Sequence, residues 1–209
     1  MGRCVGFDLD MTLIDPRPGM VAAMEQLARE SGLDLDAELF ASRLGPPLDH
    51  VLRGFEAPEE RIPDLVSRFR EIYPGLVIPS TVVLPGARAA IDAVRDAGGT
   101  SLVVTGKYER NAALHLEAHG PEVDVLVGDL WATGKAAALK RHNAFAYVGD
   151  HVGDIRGALA AGAIAVGVTT GPCTRAELLA AGAHVVLDSL VEFPGWLAAS
   201  ADGARVPER

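Results

Sequence analysis

Lysine is scarce in this chain of 209 residues: it occurs at 107, 135 and 140 only, and arginine carries the rest of the positive charge. A formal net charge of -9 argues against nucleic acid and acidic membranes as partners, although a small anion can still bind in a locally favourable pocket. Cysteine is nearly absent. Cys4 and Cys173 lie far apart and neither belongs to a C-x-x-C pair, which excludes a disulfide framework and a thiolate metal site and fits a reducing, cytoplasmic setting. No apolar run approaches the length of a membrane span, and the chain enters its first predicted strand directly, so neither a signal peptide nor a membrane anchor is expected. The composition that is present, 49% hydrophobic and 22% charged, is that of an ordinary globular protein. Its length suits one domain, or one domain with a small insert.

A short apolar run from Cys4 to Phe7 reads as a buried strand. Between about Asp15 and Gly75 no strand is evident. Helical spacing begins at Met20 and continues over Ala37–Leu44, Leu48–Phe55 and Glu59–Tyr73, with breaks at Gly45-Pro46-Pro47 and Pro58. From Pro85 strands and helices alternate. Strands are predicted at 101–105, 123–127, 145–148, 164–168 and 184–187, and helices at 86–97, 109–118, 135–141, 155–161, 175–181 and about 190–198. This alternation predicts βαβ units, hence an α/β fold with a mainly parallel, Rossmann-like sheet. Residues 1–14 and 81–199 form the α/β body, residues 15–80 a small all-helical insert, and residues 200–209 a tail expected to fray.

In open α/β sheets ligands bind beyond the carboxyl ends of the strands, so polar residues at those ends are the ones to collect. The first strand ends in Asp8 and Asp10, the second in Thr105, Gly106 and Lys107, and a later one in Asp150 followed by Asp154; Lys135 opens a helix between them. Alternate positions of an extended chain share a side, so Asp8 and Asp10 begin on one face. Close carboxylates raise a pKa or recruit a cation. Asp8, Asp150 and Asp154 offer hard oxygen ligands for Mg²⁺. The Thr105 hydroxyl, the Gly106 amide (expected at a helix start) and the Lys135 ammonium suit phosphate oxygens. The set suits phosphoryl transfer. Each residue alone has a commoner structural role, such as a helix cap or a solvated lysine; it is their shared placement that carries the argument.

Asp8-Leu9-Asp10-Met11-Thr12, Val103-Val104-Thr105-Gly106, Lys135 and Gly149-Asp150-x-x-x-Asp154 follow one another in the order of the four motifs of the haloacid dehalogenase-like superfamily, which the chain resembles from Val5 to about Phe193. The helical insert resembles a C1-type cap, and places the chain near the phosphoglycolate phosphatase-like branch. The resemblance implies a Mg²⁺-dependent phosphatase acting on a small phosphorylated metabolite, for example a phosphoglycolate-like one, as a monomer or homodimer. It implies Asp8 as nucleophile, forming an aspartyl-phosphate, and Asp10 as general acid/base. Asp8, the Asp10 main-chain carbonyl and Asp150 would bind the metal, with Asp154 as ligand or support. Thr105, Gly106 and Lys135 would hold the phosphoryl group, and Arg43, in a segment similar to the branch's cap loop, would meet an anionic part of the substrate.

The chain departs from the pattern at Met11, where the family usually has glycine, and Lys135 lacks the proline that commonly follows it; Lys140 is a fallback. The same core and cap type also serve a phosphosugar mutase, and the fold alone would serve a non-catalytic binding protein. His151 is expected to border the pocket, Lys107 to face either the cap or water, and His115 with His119, four apart on a helix but without a third ligand, to hold no metal.

Overall fold

The computed structural model describes residues 2–201. Six strands form one parallel sheet: β1 (Cys4–Phe7), β4 (Thr100–Val104), β5 (Val125–Val127), β6 (Ala144–Gly149), β7 (Ile164–Val168) and β8 (Val185–Leu187), in the spatial order β5-β4-β1-β6-β7-β8. These strands are apolar on both sides because both faces are covered. Val5, Phe7, Val103, Val148 and Val166 point to the layer formed by α5 (Ala87–Asp96), α6 (Glu109–Ala118) and α10 (Phe193–Ala201). Leu102, Val104, Tyr147 and Ala165 point to α7 (Lys135–Arg141), α8 (Val152–Ala161) and α9 (Arg175–Ala180).

The chain leaves β1 toward β4 on one side and later returns to β6 on the other. β1 pairs with both, Phe7 lying opposite Val103 and Val148. The strand order therefore switches at β1, and a crevice opens where β4, β1 and β6 end.

Between β1 and β4 comes the helical insert: α1 (Arg17–Ser31), α2 (Ala37–Ser42), α3 (Leu48–Gly54) and α4 (Ile62–Ser80) around their own apolar interior of Met24, Leu27, Leu52, Phe69 and Val77. Its two connections to the body pair as a short antiparallel ribbon, β2 (Ile14–Asp15) with β3 (Val82–Val83), which residue patterning does not reveal because two residues carry no period. α4 also runs past Tyr73, where its prolines predict an end. Pro74 and Pro79 both lie inside it, and its buried face, Leu65, Phe69, Ile72, Tyr73 and Val77, continues across Pro74. Packing of that stripe overrides the local cost of proline.

The predicted tail begins too early. Ser200 and Ala201 still belong to α10, and the Ser200 hydroxyl donates to the Trp196 carbonyl; residues 202–209 lie outside the described residues. No helix among the described residues is long and apolar enough to cross a membrane.

Candidate active site

Asp8 follows the last residue of β1, and its backbone N–H donates to the Val148 carbonyl at 2.8 Å, so the chain is still tied to β6 where the carboxylate emerges. Thr105 and Asp150 directly follow β4 and β6. Asp8, Asp10, Thr105, Gly106, Lys107, Asp150 and His151 line one cavity of about 20 Å³, closed from above by Leu44 and Gly45 of the insert and flanked by Trp131. Gly45, at φ 139, lies so close to Trp131 that a Cβ would sit 2.8 Å from the indole, so glycine lets the insert loop settle onto the core.

Lys135 is fully buried. Its ammonium lies 2.7 Å from Asp154 Oδ1 and 3.0 Å from Asp8 Oδ1, and it donates to the Tyr147 hydroxyl at 2.8 Å, which in turn donates to the Val104 carbonyl. Burial alone would discharge this lysine; Asp154 and Asp8 outweigh it and hold its pKa above the ordinary value. Lys140, the fallback, is exposed. Lys135 rather than Lys140 is thus the lysine beside Asp8 and Asp154, but it does not line the cavity, and its ammonium is taken up by those carboxylates rather than open to a phosphoryl group as expected.

Asp154 does two things. Oδ1 meets Lys135, and Oδ2 accepts from the His151 N–H at 3.1 Å, while His151 Nδ1 accepts from the Gly153 N–H at 2.9 Å. This reciprocal cap starts α8. Burial raises the Asp154 carboxyl to about 6, against the opposing pull of Lys135. Asp150 accepts from the Thr12 hydroxyl at 2.9 Å and lies against Gly171, where a Cβ would fall 1.8 Å from its Oδ2. Burial pushes Asp150 well above the usual carboxylate range, and Asp154 and Asp8 push the same way. Thr12, Tyr147 and Gly171 are site residues that strand-end reasoning misses; for Thr12 the signal was its place in the D-x-D-x-T run.

Asp10 faces the other lysine. Lys107 Nζ lies 2.7 Å from Asp10 Oδ1. Burial raises the Asp10 carboxyl, Lys107 pulls it down, and Asp8 adds to the rise. The same ammonium donates to the Tyr73 hydroxyl, from the insert, and lies 3.4 Å from His115 Nε2. Lys107 therefore faces the insert and the site, not water. His119 is tied to the Ile78 carbonyl at 2.6 Å, so the two histidines do not converge on one ligand.

Two further predicted details are placed differently, and one departure from the family pattern gains a shape. Arg43 is exposed at the end of α2 and does not line the cavity, although its neighbours Leu44 and Gly45 do. Gly106 lines the cavity, but α6 begins only at Glu109, so its amide belongs to a loop rather than a helix start. Met11 adopts φ 58, the left-handed conformation for which glycine is the ordinary choice, with its side chain 2% exposed. The chain after Asp10 thus takes a glycine-type backbone shape without a glycine, at a conformational cost of about 1–2 kcal/mol.

Ligand oxygens of Asp8, Asp150 and Asp154, all buried, lie within 4.8 Å of one another. With Asp10, four carboxylates face the two ammonium groups of Lys107 and Lys135, a formal excess of two negative charges when all are ionised, which is the state a bound cation would favour. An all-oxygen set with that excess fits a hard divalent cation.

Parallel strand ends gathered at a switch point, with buried carboxylates and lysine beside a small cavity, define the class: a Rossmann-like parallel α/β core with a helical cap. The chain belongs to the haloacid dehalogenase-like hydrolase family, whose model matches residues 5–168. It is 31% identical to a phosphoglycolate phosphatase of Caulobacter vibrioides, covering 92% of this chain and 90% of that one. It is 30% identical to the "Probable phosphatase IndB" of Dickeya dadantii, with 93% of each covered. Among solved structures, a predicted phosphatase from Clostridium acetobutylicum superimposes with a TM-score of 0.80 over 95% of this chain and 99% of that one, at 23% identity, a likeness of fold.

Proposed function

We propose that this protein is a Mg²⁺-dependent phosphomonoester hydrolase acting on a small phosphorylated metabolite through an aspartyl-phosphate on Asp8. The observation that carries the reading is the convergence of Asp8, Asp10, Thr105 and Asp150 on one small cavity, with Lys135 buried beside it. Phosphoryl transfer asks chiefly for positioning and charge stabilisation, and these residues supply both. An Asp8 oxygen attacks phosphorus as the ester P–O bond breaks, and the Asp10 carboxyl gives its proton to the leaving oxygen. Water then attacks phosphorus, Asp10 takes back a proton, and the bond to Asp8 breaks to release phosphate. Thr105 and the Gly106 amide border the phosphoryl position, and Lys135 holds Asp8 and Asp154 in place. Asp8, Asp150 and the Asp10 carbonyl would hold Mg²⁺, with Asp154 as ligand or support. Bound there, the ion would supply neutralisation of charge on the phosphoryl oxygens.

A second cavity of about 250 Å³ adjoins the first, between cap and core. Met20, Phe40, Leu44, Phe69 and Tyr108 give it apolar walls, and Asp10 and Lys107 lie on its lining too. It is the place for the leaving group.

The reading is tested by phosphate release from a panel of phosphomonoesters, phosphoglycolate included, with and without Mg²⁺. The expected result is metal-dependent release that disappears in Asp8→Asn. Release that survives this substitution would overturn the assignment of Asp8, and release from no ester would overturn the hydrolase reading.

A further inference from the structure

The role given to Asp10 leaves one buried assembly unexplained. Lys107 is a cation with 5% side-chain exposure, and its partners come from both parts of the molecule. Asp10 belongs to the loop after β1, Tyr73 to cap helix α4, and His115 to core helix α6. The ammonium meets Asp10 Oδ1 and the Tyr73 hydroxyl, and lies 3.4 Å from His115 Nε2. The Tyr73 hydroxyl lies 2.7 Å from His115 Nε2. Burial, with Lys107 and His119 beside it, pushes His115 down to about 2, so its imidazole is neutral, and it shares a hydrogen bond with the Tyr73 hydroxyl. Tyr73 and His115 are themselves almost fully buried, at 2% and 0% exposure. The lysine is thereby fixed in direction as well as in place.

That fixes Asp10. Its Oδ1 is buried against Lys107, while the side chain as a whole keeps 19% exposure and lines both the phosphoryl cavity and the leaving-group cavity. Asp10 thus borders both cavities, with the proposed phosphoryl position on one side and the proposed leaving-group position on the other. Resting on the hydrolase reading above, we propose that Lys107 is a positioning residue for proton transfer by Asp10, and that Tyr73 of the cap, backed by His115, holds Lys107 in that role. The bond changes are those already given. The proton moves from Asp10 to the leaving oxygen as the ester P–O bond breaks, and Lys107 neither gains nor loses one.

Misplacing the acid hurts most where the leaving group needs its proton. The test compares kcat for p-nitrophenyl phosphate, whose phenolate leaves unaided, with kcat for an alkyl phosphate monoester, whose alkoxide does not. In Lys107→Met, kcat for the alkyl ester is expected to fall about 30-fold or more while that for the nitrophenyl ester falls less than about threefold, since general acid catalysis contributes 10²–10⁴. Tyr73→Phe removes a single hydroxyl and should show the same selectivity with a smaller loss. Because it is the milder change, it covers the case in which Lys107→Met fails to fold. Equal losses for the two esters in either variant, or a change confined to KM, would overturn the proposal and leave the hydrolase reading standing. If the unaltered chain hydrolyses neither ester, both fall.

Discussion

The interior of the cap is apolar throughout, and among the described residues none of its charged side chains is buried. Its ion pairs stand outside: Arg53 with Asp49 and Glu59, Arg68 with Glu30 and Glu71. The core does the reverse where β1, β4 and β6 end, burying Asp8, Lys135, Asp150 and Asp154 together. Removing ions from water costs several kcal/mol each, and their mutual attraction recovers that only with good geometry. A fold that needed stability alone would not bury four there. The cap shows what this chain does when only packing is at stake; the core holds a charged cluster that packing does not call for and that the proposed chemistry would use. Tyr73 joins the two, a cap residue whose ring packs against Phe69 and whose hydroxyl reaches Lys107.

The largest break in this contrast should come from Lys135→Met. It strands Asp8 and Asp154 without their cation, and an uncompensated buried charge costs about 3–5 kcal/mol. Chemical denaturation without Mg²⁺ should show a loss of that size. Next comes Leu52→Ala, at a fully buried site inside the cap, with an expected loss of about 2–5 kcal/mol through the cavity it leaves.

The third prediction concerns acid. His115 protonates near 6.5 in the unfolded chain but only at about 2 in the fold. Below pH 6.5 the unfolded state therefore binds the extra proton, and stability falls as pH falls through the window from 6.5 to 2. The slope attributable to this one group is about 1.4 kcal/mol per pH unit. His115→Gln should flatten the acid limb of a stability-against-pH curve by that amount; an unchanged slope would mean that His115 is not buried neutral. The smallest effect belongs to Arg68→Ala. Its partners are solvent-exposed, and its denaturation midpoint should be indistinguishable from that of the unaltered chain.

How much of this was legible in the residues differs between the same two regions. The sheet strands were readable because fully covered strands are apolar on both sides, and Asp8, Thr105 and Asp150 were readable because chemistry in such folds collects at strand ends. Lys135 was readable as a helix opener, but its full burial between two carboxylates was not. The cap's helices were legible by period, yet α4 overran its prolines because the packing of Ile72, Tyr73 and Val77 is a tertiary effect. The Lys107–Tyr73 contact spans 34 residues of sequence, and local pattern says nothing about such pairs. Met11 was legible only as a departure; that it would adopt the glycine-like backbone shape required the neighbouring hydrogen bonds, its N–H to the Ile14 carbonyl at 2.7 Å and its own carbonyl accepting from the Thr170 hydroxyl.

The most direct test of the account is to catch the intermediate. A phosphatase substrate labelled on its phosphoryl group would be mixed with the protein and Mg²⁺, quenched in acid within one turnover, and the peptides mapped. Label is expected on the peptide containing Asp8, removable by hydroxylamine as an acyl phosphate should be, and absent in Asp8→Asn. Phosphate release with no label on the protein, or label on any other residue, would contradict it.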